Sequence, residues 1–238
     1  MRLFAIGDLH LSGGDDKPMD VFGPHWDRHF FRIQENWEQL VRPEDIVLIP
    51  GDISWAMKME NALPDLQEIG KLPGQKILCR GNHDYWWHAI TRLREMLPPG
   101  MRALQADAAD LGEWVVCGTR GWLFPTAGEP LNEDDRRIFR REVQRLKLAL
   151  DSAENIARGR PLVVMTHFPP LYAGERDTEM TRLMEERGVS VAVYGHLHGE
   201  GIRAGFNGVH NGIRYQLVSC DSIDFCPLEI LRGEEPEK

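Results

Sequence analysis

No apolar run in this sequence approaches the roughly 18 consecutive residues that a membrane-spanning helix needs. The stretch Met1-Arg2-Leu3-Phe4-Ala5-Ile6 passes straight into a Gly-Asp turn, without the apolar core and cleavage site of a secretory leader. A cytoplasmic protein with no membrane partner is therefore expected. Cysteine is scarce, and Cys79, Cys117, Cys220 and Cys226 show no CxxC spacing, which argues against a disulfide framework and for buried free thiols. Positive charge is in deficit: 28 Lys and Arg against 37 Asp and Glu leave a net charge of −9. Such a surface repels polyanions, so nucleic acid is not the expected partner, although metal ions in a cleft reverse that locally. Internal repeats, low-complexity segments and linkers are also missing. With 238 residues, 42% of them hydrophobic, the chain can bury one full core. One domain over 1–232 is expected, followed by a disordered polar tail over 233–238. The sequence carries no signal for an oligomeric state.

What the chain does contain is short apolar runs alternating with helical patterns, the signature of an α/β protein. Strands are expected near Leu3–Ile6, Ile46–Ile49, Lys76–Cys79, Val115–Cys117, Leu162–Met165, Val189–Tyr194, Tyr215–Val218 and Leu228–Leu231. Helices are expected over about Trp26–Val41, Ala62–Ile69, Trp86–Leu97, Asp134–Ala157 and Thr178–Arg187. In the fourth, Phe139, Val143, Leu146 and Leu150 form one apolar stripe behind an acidic first turn. Its arginines, from Arg136 to Arg145, and Lys147 read as a solvated face balancing nearby acids, with a phosphate-attracting surface as the alternative.

Polar, metal-competent residues cluster where the strands end. AIGDLH puts Asp8 and His10 past the first strand, LIPGD puts Asp52 past the second, and LCRGNHD puts Asn82, His83 and Asp84 past the third. VVMTH then places His167, and AVYGHLH places His196 and His198, at the ends of later strands. Ligands of α/β sheets bind at the carboxyl ends of strands, where loops converge on one crevice. In four of the five motifs a glycine precedes the polar residue and permits the sharp turn that leaves a strand. Gathered together, Asp8, His10, Asp52, Asn82, His167, His196 and His198 offer carboxylate, amide and imidazole donors. That set suits two hard-to-borderline divalent ions such as Mn, Fe or Zn. Any one of these histidines could be an ordinary structural residue; five such motifs, each at a strand end, argue against that.

In this order the motifs Asp-x-His, Gly-Asp, Gly-Asn-His-Asp, a lone His and Gly-His-x-His resemble those of the calcineurin-like metallophosphoesterase superfamily, from Asp8 to His198. The whole chain also looks like a bacterial subgroup of predicted phosphohydrolases, through KPMDVFG, GDISWAM, GNHDYWW and GTRGW. The resemblance implies an α/β fold: a four-layer β-sandwich of two mixed sheets flanked by helices. It implies that Asp8, His10, Asp52 and His198 hold one metal, and that Asp52, Asn82, His167 and His196 hold the other, with Asp52 bridging. It further implies a dimetal phosphohydrolase in which a metal-bridging hydroxide attacks phosphorus in line, His83 protonates the leaving oxygen and Asp84 orients the His83 ring. The substrate would be a small or medium phosphoester. DLHLS looks more like the phosphodiesterase and nuclease branch, whereas GDISWAM departs from the protein phosphatase pattern. A nuclease is the alternative enzyme, and a metal-binding scaffold without catalysis the alternative outside enzymes.

Further residues have two readings each. Tyr85, Trp86 and Trp87 either pack the following helix on the sheet or form, with Trp55, a stacking wall for a leaving group. Arg80 and Arg120 are candidate phosphate clamps or structural ion-pair partners. His25, His29, His88 and His210 read as surface or structural. The loops Ser12–Asp27 and Gly121–Asn132 are expected to select the substrate, the first as a lid.

Overall fold

The computed structural model describes residues 1–12, 19–126 and 130–233. The tail expected to be disordered lies, beyond Gly233, outside them, as do parts of both expected substrate-selecting loops. Along the first half of the chain run β1 (Arg2–Ala5), α1 (His29–Leu40), β2 (Ile46–Ile49), α2 (Met59–Lys71), β3 (Gln75–Leu78), α3 (Ile90–Met96) and β4 (Met101–Ala103). The second half contributes β5 (Asp107–Asp110), β6 (Val115–Thr119), α4 (Glu133–Ala157), β7 (Leu162–Thr166) and α5 (Glu179–Glu186). It continues with β8 (Val189–Tyr194), β9 (Gly208–His210), β10 (Ile213–Leu217) and β11 (Leu228–Arg232).

Two mixed sheets result. The first runs β11-β1-β2-β3-β4, parallel except for β11, and the second β5-β6-β7-β8-β10-β9, parallel except for its two edge strands β5 and β9. Side-chain alternation along each strand divides the interior. Leu3, Ala5, Leu48 and Ile77 point toward the other sheet and meet Val116, Val163, Met165, Val191 and Val193 between the two. Phe4, Val47, Ile49 and Leu78 point outward onto Ile33 and Trp37 of α1 and Leu66 and Ile69 of α2. On the far face, Val115, Cys117, Val164 and Ala192 pack under α4 and α5, and the stripe Phe139, Val143, Leu146 and Leu150 is buried there as its spacing predicts. Helix, sheet, sheet, helix: the four-layer sandwich is the fold. Each fully buried aliphatic side chain of this kind contributes about 1.5–3 kcal/mol.

All four cysteines are free thiols, three of them buried. Among the described residues no helix is long and apolar enough to cross a membrane. Two expectations need correction. Strands β4, β5 and β9 were not anticipated, because they are three or four residues long and lack an apolar run. Helix α3 begins at Ile90, not Trp86: Trp86 Nε1 donates to Asp84 Oδ1 at 3.1 Å and Trp87 N to Asp84 O at 3.2 Å, so both tryptophans sit in the turn before it.

Candidate metal centre

The parallel strands of both sheets deliver their carboxyl ends to one place. Asp8 follows β1, Asp52 follows β2, Asn82 follows β3, His167 follows β7, and His196 and His198 follow β8. Four of these loop residues have left-handed backbone: Asp8 at φ 59°, His10 at 46°, Asp52 at 51° and His196 at 75°. Such conformations cost about 1–3 kcal/mol each and persist where surrounding structure enforces them, commonly at functional sites. Here close backbone approach enforces them. A Cβ on Gly81 would overlap Asp52 Oδ1, and one on Gly195 would overlap Asp8 Oδ2, so only glycine lets these loops meet.

The donor atoms face one another. Ligand atoms of Asp8, His10 and His198 lie within 4.8 Å of each other, and so do those of Asp8, Asp52 and His167. Asp52 Oδ2 reaches toward both groups, 3.8 Å from His10 Nε2 and 3.5 Å from His167 Nε2. Asn82 Oδ1 stands 2.7 Å from His167 Nε2 and 3.0 Å from His196 Nδ1, while His10 Nε2 and His198 Nε2 are 3.4 Å apart. Tautomers are set from outside. His167 Nδ1–H donates to Pro50 O at 3.0 Å, which leaves its Nε2 lone pair aimed inward, and His198 Nδ1–H donates to Asp221 Oδ1 at 2.8 Å, which turns its Nε2 inward.

Electrostatics make the same point. Burial, with Asp8 beside it, pushes Asp52 up to about 8. Burial also works against an ionised Asp8, but His198, His167 and His10 outweigh it and hold that carboxyl well below the usual range. Two buried carboxylates this close share the burden of one charge unless a cation neutralises them. Burial and neighbouring His167 bring His196 down to about 3, and burial takes His10 well below its ordinary value, so both present lone pairs. For His198, burial alone would lower the value, yet Asp8 and Asp221 raise it to about 10. Carboxylates at odds and imidazole nitrogens turned inward fit two divalent cations.

The remaining expected site residues separate into three places. His83 donates its backbone N–H to Asp52 Oδ1 at 2.8 Å, and its half-buried ring lies beside the cluster, 5.8 Å from His10 and 4.3 Å from Trp55 between centroids. Together with His10, Met19, Phe22, Trp26, Trp55 and His198 it lines a cavity of about 310 Å³. Trp55 stacks on His10 at 4.8 Å. The described part of the expected lid, two short turns over Met19–Phe22 and Pro24–Trp26, supplies three of these walls.

Asp84 does something other than orient His83. Its carboxylate accepts from the backbone N–H groups of Asp52, Ile53, Ser54 and Gly81 and from the Trp86 indole, and none of its bonds among the described residues goes to the His83 ring. It therefore ties the loops after β2 and β3 together. Trp86 is fully buried beside it, which makes this tryptophan a packing residue and removes it from any stacking wall. Arg80 and Arg120 line a different cavity, with Thr119, Arg141 and Arg145. Asp221 was not anticipated, although it orients His198: a lone Asp after β10 carries little signal in sequence. It reaches the site because Cys220 N bonds Gly7 O at 3.0 Å, stitching that segment to the loop after β1. His29, outside the motifs, donates Nε2–H to Leu9 O at 2.9 Å and is structural.

A four-layer sandwich with a buried Asp/His cluster at its strand ends defines a metal-dependent phosphoesterase. Residues 1–200 match the family of calcineurin-like phosphoesterases, and the chain belongs to it. A comparison with curated proteins returns no match. The fold is shared with phosphopantetheinyl hydrolase (PptH) from Mycobacterium tuberculosis, at 15% identity, TM-score 0.58, covering 99% of this chain and 98% of that one. It is shared also with the protein of unknown function AQ665 from Aquifex aeolicus, at 16% identity, TM-score 0.52, covering 96% and 95%.

Proposed function

We propose that the protein hydrolyses a small or medium phosphoester, phosphodiesters in preference to monoesters, with His83 as the general acid. One observation carries this reading: the ring of His83 lines an aromatic cleft together with His10 and His198 of the convergent candidate ligands, 5.8 Å from the His10 ring. When bound, two divalent ions supply Lewis-acid polarisation of phosphoryl oxygens and lower the pKa of water from about 16 toward neutrality. Asp8, His10, Asp52 and His198 would hold one ion, and Asp52, Asn82, His167 and His196 the other. The chain's own contribution is placement and proton supply. Trp55, Trp26 and Met19 receive the leaving group and exclude water beside it. As water attacks phosphorus in line and the opposite P–O bond breaks, His83 gives its ring proton to the departing oxygen, a contribution of typically 10²- to 10⁴-fold.

The preference for diesters rests on the likeness of DLHLS to the phosphodiesterase branch. A polymeric nucleic acid has less support: the net charge is −9, and on α4 Arg137 and Lys147 are paired with Asp134 and Asp151 at 2.9 Å each. The test is hydrolysis of bis-p-nitrophenyl phosphate against p-nitrophenyl phosphate by Mn²⁺-loaded protein, with Asn82→Ala as the blank. Faster diester turnover that Asn82→Ala abolishes is the expected result. Absence of turnover on both substrates, with two metals bound, would overturn the hydrolase reading.

A further inference from the structure

The second cavity, about 270 Å³, is lined by Cys79, Arg80, Leu104, Gln105, Thr119, Arg120, Arg141 and Arg145. It brings four guanidinium groups together in a chain whose net charge is −9. One carboxylate answers them. The fully buried Glu142 accepts from Arg145 Nη1 at 2.6 Å and from Thr119 Oγ1 at 2.6 Å, and Arg120 Nη2 lies 3.9 Å from it. Both of its oxygens are thereby engaged. Among the described residues no acidic side chain pairs with Arg80 or Arg141, and the Nε atoms of Arg80 and Arg120 are shielded from solvent without a hydrogen-bond partner. Arg141 and Arg145 stand four apart on α4, a like-charge spacing that weakens a helix. Arg141 is exposed at the rim, Arg145 is paired with Glu142, and the Arg120 guanidinium lies 4.4 Å over the Trp122 ring, so the unmet donors are the buried Nε atoms of Arg80 and Arg120. Leaving those unpaired is unfavourable unless something else accepts from them, and a tetrahedral oxyanion matches the planar forks of the cluster bidentately.

Two of its arginines stand on loops that adjoin one half of the metal centre. Arg80 immediately precedes Gly81 and Asn82, and the Arg120 carbonyl accepts from His167 N at 3.0 Å and Phe168 N at 2.9 Å. The aromatic cleft, by contrast, is walled by His10 and His198 of the other half, and the two cavities share no lining residue. We infer that the arginine cavity is a second anion subsite, which takes a phosphoryl group carried on the arm of the substrate that stays attached to the scissile phosphorus. This deepens the proposed hydrolysis of a phosphodiester and rests on it for the identity of the occupant, not for the existence of the anion site.

Two measurements test it. First, inorganic phosphate is titrated calorimetrically into the metal-free and Mn²⁺-loaded full chain, wild type and Arg141→Gln, with Arg141→Lys as the conservative control and circular dichroism to verify folding. The metal-free chain removes anion binding by the cations, and the Arg141→Gln comparison assigns what remains to the arginines. Phosphate binding to metal-free protein, weakened about tenfold by Arg141→Gln and largely restored in Arg141→Lys, is expected. No binding, or equal binding by folded Arg141→Gln, overturns the anion site, whatever the protein hydrolyses. Second, kcat/KM is compared for thymidine 5′-(p-nitrophenyl phosphate) with and without a 3′-phosphate. The 3′-phosphate should raise kcat/KM about tenfold in wild type, and Arg141→Gln should erase that ratio. A ratio of one in wild type, with phosphate still bound calorimetrically, overturns the substrate assignment and makes free phosphate the occupant.

Discussion

The two cavities, one lined by His10 and His198 of the metal centre and the other by arginines on adjoining elements, are close in size and opposite in chemistry. One, about 310 Å³, is walled by tryptophan, phenylalanine, methionine and imidazole; the other, about 270 Å³, by four arginines over a single buried glutamate. On the aromatic side rings pack on one another, as Trp55 on His10 shows, and His10 Nδ1 is buried there without a hydrogen-bond partner among the described residues. The arginine side leaves donors unsatisfied. Under the proposed function, a phosphodiester across the centre would meet a different solvent on each side: an apolar wall beside His83 for the leaving group, and a cationic socket for a retained anion. The difference teaches that overall charge excludes extended polyanions better than small ones, since four arginines gather in one cavity of a chain whose net charge is −9.

The comparison is broken most completely by removing what both sides share. Asp52→Asn takes away the carboxylate that faces both ligand groups, and turnover of every phosphoester should fall by about 10³-fold, equivalent to ~4 kcal/mol, in steady-state assays at saturating Mn²⁺. His83→Ala acts from the aromatic side alone: alkyl esters, which need a proton on the departing oxygen, should lose about 10²- to 10⁴-fold, whereas p-nitrophenyl esters lose far less. Equal losses for both leaving groups would remove the acid role. Asp221→Ala frees the His198 ring without touching a ligand, and metal titration should show affinity reduced about 10- to 100-fold with the fold intact by circular dichroism. Smallest is Trp55→Ala, for which KM toward aryl esters should rise about fivefold, in line with ~1 kcal/mol of lost ring contact. Calorimetric phosphate affinity of the metal-free protein should not change in that variant; a change would mean the two cavities are coupled.

The convergence of the candidate ligands was legible because each motif is local: a strand, a glycine in most cases, then a polar residue. Asp8, His10, Asp52, Asn82, His167, His196 and His198 all converge on one place. Adjacent residues of the same motifs were harder to read. Asp84 follows His83 directly, but its carboxylate turns back to collect the N–H groups of Asp52, Ile53, Ser54 and Gly81, and only the approach of the β2 and β3 loops reveals that. Trp55 and Trp86 have the same side chain near the same motifs, yet one walls a cleft and the other is fully buried. Asp221 was invisible because no spacing links it to His198, from which it is 23 residues distant.

Sequence alone determined the α/β class, the apolar stripe of α4 and the inventory of metal-competent side chains, because periodicity and turn chemistry are properties of neighbouring residues. Tertiary structure decided which of those side chains share a site and which cavity each remaining one lines. Arg80 and Arg120 come from opposite sheets, and Arg141 and Arg145 from a helix packed over one of them. Their meeting depends on how two sheets stack, a long-range consequence of burial that no local pattern encodes.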